Sequence, residues 1–335
     1  MKKFLRILAY VLLILVVGII GLISYVKLAF PKVDDAPDIR IELTPERISR
    51  GQYLANSVAA CMDCHSTRDW GKFSGPLKDG SYGGGGEVFN QKMGFPGTYI
   101  SKNLTPYALK NWTDGEIFRA ITSGVNKDGK ALFPVMPYHN YARADREDIY
   151  AIIAYLRTLE SVESDVPPSR SDFPMNIIIN VIPKNPSLSD KPDPSDKIKY
   201  GGYITNLASC IECHTPMEKG KPVLSRAFAG GREFGLPTGG FVHSANITPD
   251  KVTGIGNWTE EAFITRFKAY ADSSFIPPEI HHGEFNTLMP WMMYSGMKEE
   301  DLAAIFAYLQ SLQPIHHKVE RFTSVSDYSP PPTPN

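Results

Sequence analysis

Two pentapeptides constrain this chain more than anything else in it: Cys61-Met62-Asp63-Cys64-His65 and Cys210-Ile211-Glu212-Cys213-His214. Cys-x-x-Cys-His is the attachment pattern of a c-type haem. Thiols at i and i+3 leave the same side of one helical turn, so both can add to the vinyl groups on one porphyrin edge. The histidine one residue further on then meets the iron from that side as its proximal ligand. Three other readings compete. A zinc site needs a second ligand pair a short way downstream, and none follows either motif. A thioredoxin-like dithiol sits in a strand-helix-strand setting, which is absent here. Chance is a poor account, because the chain has four cysteines and the two motifs use all of them. The expectation is two covalently attached haem c groups, with Cys61, Cys64, Cys210 and Cys213 on the porphyrins and His65 and His214 on the irons. With both pairs committed, no disulfide is expected.

The chain starts Lys2-Lys3-Phe4-Leu5-Arg6 and then runs from Ile7 to Val26 without a charge. At about 1.5 Å per residue that stretch makes a helix of roughly 30 Å, the thickness of a bilayer's hydrocarbon core. A cleaved signal peptide has a shorter apolar region and an Ala-x-Ala-like site behind it, and Ile23 to Phe30 offers none. Residues 1–33 are therefore expected to be an uncleaved signal anchor, a single transmembrane helix. The leading basic residues keep its start in the cytoplasm, with Lys27 and Lys32 pulling weakly the other way. This places the protein in a bacterial inner membrane with the rest of the chain in the periplasm. A formal net charge of −1 gives no reason to expect nucleic acid as a partner.

The remainder of the 335 residues has room for two domains of roughly 100 to 150 residues each, and it says the same thing twice. Gly51-Gln52-Tyr53 precedes the first haem motif and Gly201-Gly202-Tyr203 the second. Downstream, Asn103-Leu104-Thr105-Pro106 answers Asn246-Ile247-Thr248-Pro249, and Asn111-Trp112-Thr113 answers Asn257-Trp258-Thr259. Met136-Pro137-Tyr138 answers Met289-Pro290-Trp291, and the helix Glu147 to Leu156 answers Glu300 to Leu309. Each unit reads as mostly helical. Thr113 to Glu116 has the Thr-x-x-Glu form of a capping box. The last helices carry apolar stripes, Ile149, Ile152, Ile153, Leu156, Leu159 and Leu302, Ile305, Phe306, Leu309, Leu312. Thr98-Tyr99-Ile100 and Phe241-Val242-His243 suggest short strands. The expected units are 46–160 and 197–316, joined by a Pro-rich linker over 161–196 and followed by a disordered tail over 317–335. Within the linker, apolar Met175 to Ile182 is expected to pack across the domain interface. The sequon asparagines read as loop and cap residues, and His281-His282 and His316-His317 as solvated loop residues.

A haem iron with one histidine has a sixth position, and its occupant decides the chemistry. Methionine gives a closed, electron-transferring centre of raised potential; an open face permits chemistry at the iron. Met136 and Met289 lie 71 and 75 residues after His65 and His214, each followed by proline and an aromatic residue and then by the final helix. The proline stiffens the loop, which suits an iron site that must not reorganise during electron transfer. Met292, Met293 and Met297 stand near enough to Met289 to be rivals, and His139 is a rival to Met136. His139 has Met292, not a histidine, as its counterpart.

Taken together, these repeated elements resemble the class I cytochrome c domain. In particular they look like the tandem domains in the cytochrome subunits of bacterial membrane-bound alcohol, aldehyde and gluconate dehydrogenases. The resemblance covers roughly 46–160 and 197–314. It implies a mainly α fold of two tandem class I cytochrome c domains after the N-terminal transmembrane helix. In each unit, the first and last helices would cross near Gly51 and Tyr155 or Gly202 and Tyr308. It also implies His65/Met136 and His214/Met289 as axial pairs. The chain differs from those subunits in having two haem motifs where they carry three, and in its N-terminal anchor.

The expected function is that of a membrane-anchored dihaem cytochrome relaying single electrons between a periplasmic or membrane donor, on the dehydrogenase or quinol side, and an acceptor. Its partners would be redox proteins: a dehydrogenase, a quinol-oxidising complex, a soluble cytochrome or a terminal oxidase. No nucleophile, acid/base pair or nucleotide loop argues for catalytic residues. The alternative is a peroxidase-like dihaem enzyme with substrate chemistry at one iron, which would need an open or His-ligated haem.

Overall fold

A computed structural model describes residues 1–272 and 274–324. Helix α1 (Lys2–Ala29) has no buried residue, and it is long and apolar enough to cross a membrane.

The first half begins at α2 (Pro45–Tyr53). The Thr44 hydroxyl accepts the Arg47 amide at 3.3 Å, and Pro45 takes the first turn, where a missing N–H is harmless. A π turn, Leu54–Val58, leads into the four-residue helix α3 (Cys61–Cys64). Strands β1 (Val88–Phe89) and β2 (Gly97–Ile100) follow, then α4 (Pro106–Leu109), α5 (Asp114–Ser123), α6 (Tyr138–Tyr141) and α7 (Arg146–Arg157). The capping box of α5 forms as its sequence suggests, with Thr113 and Glu116 bonded reciprocally. Strand β3 (Arg170–Ser171) and α8 (Met175–Ile178) lie between the halves.

The second half repeats the order with α9 (Lys197–Leu207), α10 (Cys210–His214) and a hairpin, β4 (Met217–Glu218) and β5 (Lys221–Pro222). It continues through β6 (Glu233–Gly235), β7 (Phe241–His243), α11 (Glu260–Lys268), α12 (Trp291–Tyr294), α13 (Glu299–Gln310) and β8 (Phe322–Thr323). The stripe residues within α7 and α13 are buried, Leu159 and Leu312 just beyond them are half-buried, and one hydrophobic cluster runs through both halves.

In each half the first helix crosses the last at a glycine. A Cβ on Gly51 would run into the Ala151 carbonyl, and one on Gly201 into the Ala304 carbonyl. The second crossing therefore falls at Gly201, one residue before the expected Gly202, where an added Cβ would lie 3.1 Å from the Tyr308 ring. Adjacent helical residues point about 100° apart, so only one of two neighbouring glycines can face the crossing.

Residues expected as linker and tail return to the halves they follow. Strands β1, β2 and β3 form one antiparallel sheet, with Gly97 opposite Ser171; β6, β7 and β8 form another, with Phe241 opposite Thr323. The repeated Asn-x-Thr explains the return. Asn103 Oδ1 accepts the Thr105 amide at 2.8 Å while Nδ2 donates to the Val162 carbonyl at 2.8 Å. Asn246 does the same for Thr248 at 2.9 Å and Ile315 at 2.8 Å. His317, expected in solvent, is half-buried, with Nδ1 2.9 Å from the Ala229 carbonyl. Residues 325–335 of the expected tail lie outside the described residues. The apolar run from Met175 also departs from expectation: it meets α1, and no residue of α8 is buried.

The halves meet through a reciprocal set of bonds. Tyr203 donates to Asp148 Oδ2 at 2.7 Å, and Tyr53, its counterpart, donates to Asp301, the counterpart of Asp148. Each aspartate also takes a partner from its own half: Arg50 at 2.8 and 3.0 Å for Asp148, Tyr200 at 2.9 Å for Asp301. Burial opposes the charge on Asp148, but the Arg50 and Tyr203 hydrogen bonds outweigh it and hold the carboxyl below its ordinary range.

Candidate haem sites

Each Cys-x-x-Cys-His segment is entered through a left-handed residue that is not glycine: Ala60 at φ 47° and Ser209 at φ 55°. Such a conformation costs roughly 1–2 kcal/mol for a residue with a Cβ, and its recurrence marks a turn both halves must make. It swings the chain out of the preceding helix into α3 or α10, placing the two cysteines of each pair a helical turn apart.

The histidines are held alike. His65 Nδ1 lies 2.7 Å from the Lys102 carbonyl, and His214 Nδ1 lies 2.7 Å from the Ala245 carbonyl. A carbonyl only accepts, so Nδ1 carries the proton and Nε2 presents its lone pair as the ligand atom. Burial lowers both histidine pKa values against the pull of those carbonyls. Behind them Gly85 and Gly230 donate to the carbonyls of His65 and His214, both at 2.8 Å. Their φ values of +74° and +69° and the backbone packed against them leave no room for a side chain.

All four cysteines are free thiols. Burial pushes Cys61 and Cys210 up to about 12, and it also raises Cys64 and Cys213. Among the described residues no group of three or more His, Cys, Asp or Glu could hold an ion. Cys64 and Cys213 nonetheless keep exposed surface. Two protonated thiols a turn apart, beside a neutral histidine whose Nε2 is free, fit covalent haem c in donor type and spacing.

Met136 and Met289 are half-buried and pack against the same hydrophobic cluster as Cys61 and Cys210. Both carbonyls accept from the amide two residues on, Tyr138 and Trp291, at 2.8 Å, so the two loops turn alike. Of the rivals, Met293 packs against that cluster too. Met297 is a fully buried core residue, and His139 engages Glu212 at 2.8 Å. Met292 and Met293 lie on α12, half-buried.

Sequence reasoning missed the residues that bind each haem motif to the other half. Arg68 donates to Asp63 at 2.7 Å and to the carbonyls of Gly75 and Ser74 at 2.9 and 2.6 Å, its guanidinium 4.1 Å from the Trp70 ring centroid. Ser74 then reaches the second half. Its amide donates to Asn286 Oδ1 at 2.9 Å and its hydroxyl to the Met289 carbonyl at 2.7 Å. In the opposite direction Glu212 accepts from His139 and Asn140, just beyond Met136. The acid inside each motif is thereby linked to the methionine loop of the other half. Between the motifs stand Tyr141 and Tyr294, which donate to the Ala59 and Ala208 carbonyls at 3.4 and 2.7 Å. Burial raises Tyr294, and Cys210, Cys213, Tyr141 and Asp63 add to the shift, so this phenol adjoins both motifs.

Residues 199–313 match the Cytochrome c family. The chain therefore contains a cytochrome c domain, a class of electron-transfer protein that carries haem c covalently. It is homologous to cytochrome c subunits of dehydrogenases. It is 29% identical over 287 residues to the cytochrome c subunit of a quinone alcohol dehydrogenase from Gluconacetobacter polyoxogenes, covering 80% of this chain and 56% of that one. The fructose dehydrogenase cytochrome subunit of Gluconobacter japonicus is 28% identical over 282 residues, covering 79% and 52%. The chain thus spans about half the length of these two relatives. A "Diheme cytochrome c-type" protein of Cereibacter sphaeroides is 28% identical over 315 residues, covering 90% and 96%.

Proposed function

We propose that this protein is a membrane-anchored dihaem c-type cytochrome, built as two tandem class I cytochrome c domains. It passes single electrons from a periplasmic or membrane donor, on the dehydrogenase or quinol side, to an acceptor. The observation that carries this reading is the repeat of one donor arrangement: a Cys-x-x-Cys turn and a histidine pinned through Nδ1 to a carbonyl at 2.7 Å, in both halves. Haem c, when bound, supplies a one-electron iron couple. The chain's own part is to hold Cys61, Cys64 and His65, and Cys210, Cys213 and His214, as the two attachment sets, with Met136 and Met289 as the sixth ligands. Helix α1 anchors the chain in the inner membrane, leaving both halves in the periplasm. Dehydrogenase subunits are the favoured donors, because a cytochrome c subunit of a quinone alcohol dehydrogenase aligns with four-fifths of the chain.

Haem content per chain, measured as the alkaline pyridine complex together with the intact mass, tests the count. Two covalently held haems are expected; one haem, with the first cysteine pair free, would reduce the protein to a single-haem cytochrome. Carbon monoxide separates relay from enzyme. Two methionine-capped irons should resist it, whereas rapid stoichiometric binding to the reduced protein would favour the peroxidase-like reading.

A further inference from the structure

Between the two halves of the sequence, one short apolar run is left largely exposed. Phe173 to Pro183 is free of charge and contains α8 and the short turn Ile179–Val181, neither with a buried residue. Phe173, Ile178 and Val181 are 76%, 42% and 44% exposed. Water is a poor solvent for three such side chains on one short run.

Its place in the fold supplies a better one. The run meets α1, and within α1 only Ile23 and Val26 are half-buried, the others being exposed. The contact therefore falls on the last turn of the charge-free stretch that ends at Val26. At about 1.5 Å per residue, Ile23 stands within roughly 5 Å of that end. Just beyond, the Asp34 amide donates to Asn185 Oδ1 at 2.8 Å, tying the chain that leaves α1 to the chain that leaves the run.

We propose that Phe173–Ile182 lies in the outer surface of the lipid bilayer, with its exposed side chains in the boundary between phospholipid headgroups and acyl chains. This rests on reading α1 as a membrane span, since the span sets the depth of the run. A short apolar segment lying in the interface gains its binding from buried apolar area. The consequence is a second point of attachment. A lone span would let the haem-bearing halves swing over the membrane, whereas span and run together fix which face looks down at it.

The test uses the full holoprotein in phosphatidylcholine vesicles, its native cysteines being held in thioethers. A nitroxide is placed on a single new thiol, Val181→Cys, with Phe173→Cys as a second variant and haem content checked for each. Leu15→Cys in α1 and Lys221→Cys in the exposed β4–β5 hairpin are the references. Relaxation by oxygen, which concentrates in lipid, is compared with relaxation by a water-soluble nickel chelate. The expected result is that both labels in the run fall between the two references, with oxygen collisions fewer than at Leu15→Cys and nickel collisions several-fold fewer than at Lys221→Cys. Labels in the run that behave like the hairpin label, while Leu15→Cys stays in lipid, would overturn the interfacial run and leave the anchor standing. Nickel reaching Leu15→Cys as well would remove the anchor and the inference with it.

Discussion

The Ser74 hydroxyl donates to the backbone carbonyl of Met289 at 2.7 Å, so a loop that follows the first haem motif closes over the methionine loop of the second half. Asn286 completes the clasp. Its Oδ1 accepts from Ser74, its Nδ2 lies 3.3 and 3.2 Å from the Trp70 and Lys72 carbonyls, and the residue is wholly buried. The second methionine loop is therefore shaped largely by residues more than 200 positions earlier.

Ser74→Ala removes the hydroxyl and leaves the Met289 carbonyl without this donor, at a cost of about 1 kcal/mol in stability. With Met289 as the sixth ligand, the loosened loop should weaken the sulfur-to-iron absorption band of one haem and lower the potential of that haem alone. Met289→Ala should abolish the same band, and Met136→Ala the other one. Redox titration followed in the visible spectrum checks all three. Equal change at both haems after Ser74→Ala would contradict the clasp.

Tyr203→Phe leaves the Asp148–Arg50 pair in place but takes away a hydrogen bond to a buried carboxylate. Bonds to charged groups contribute about 1.5–3 kcal/mol, and a loss in that range is expected in urea unfolding of the holoprotein. Tyr53→Phe should cost a similar amount at Asp301, because the two tyrosines make the same bond in opposite directions. A negligible effect at both would show that the halves do not depend on this exchange.

Much of the site was legible in the residues because its chemistry is local. Two cysteines and a histidine within one helical turn need no tertiary context to be read, and the matched Met-Pro pairs announced themselves by repetition. The Thr113–Glu116 box and the α7 and α13 stripes were equally plain, since capping and periodicity act over a few positions. What stayed hidden was long-range. Nothing near Ser74 or Arg68 points to Met289, and the lone acid in each motif looks like ordinary variation. The returns of 161–172 and 317–323 were obscured by proline and serine, which mark loops whether or not they pack. Asn103 and Asn246 held the one available hint, because a buried Asn-x-Thr needs something for its Nδ2 to bind.

Asp148 makes stability depend on acid. Its folded carboxyl lies below the ordinary range despite burial, through Arg50 first and then Tyr203 and Lys191, while in the unfolded chain it titrates near 3.9. The stability it contributes is thus fully present above about pH 4 and is lost as pH falls through the lower folded value. Asp148→Asn should unfold more easily at pH 7 and lose less on going from pH 5 to pH 3 than the parent does. Urea midpoints at those three pH values decide it; parallel curves for the two proteins would place the acid sensitivity elsewhere.

The helix crossings give the sharpest contrast between neighbouring positions. Gly201→Ala forces a methyl group into the Ala304 carbonyl, backbone against backbone, where neither helix can yield without moving the whole of α9 off α13. Overpacking of a tight interior costs about 1–3 kcal/mol and more where backbone must shift. Gly202→Ala puts its methyl 3.1 Å from the edge of the Tyr308 ring, which can turn aside by a few tenths of an ångström. Alanine also favours the helix by about 1 kcal/mol over glycine, which offsets part of that strain. Holoprotein yield and thermal midpoint should therefore drop sharply for Gly201→Ala, as for Gly51→Ala in the first half, and change little for Gly202→Ala. The reverse order would mean that α9 meets α13 through the other glycine, with the helix turned about 100° from the packing described.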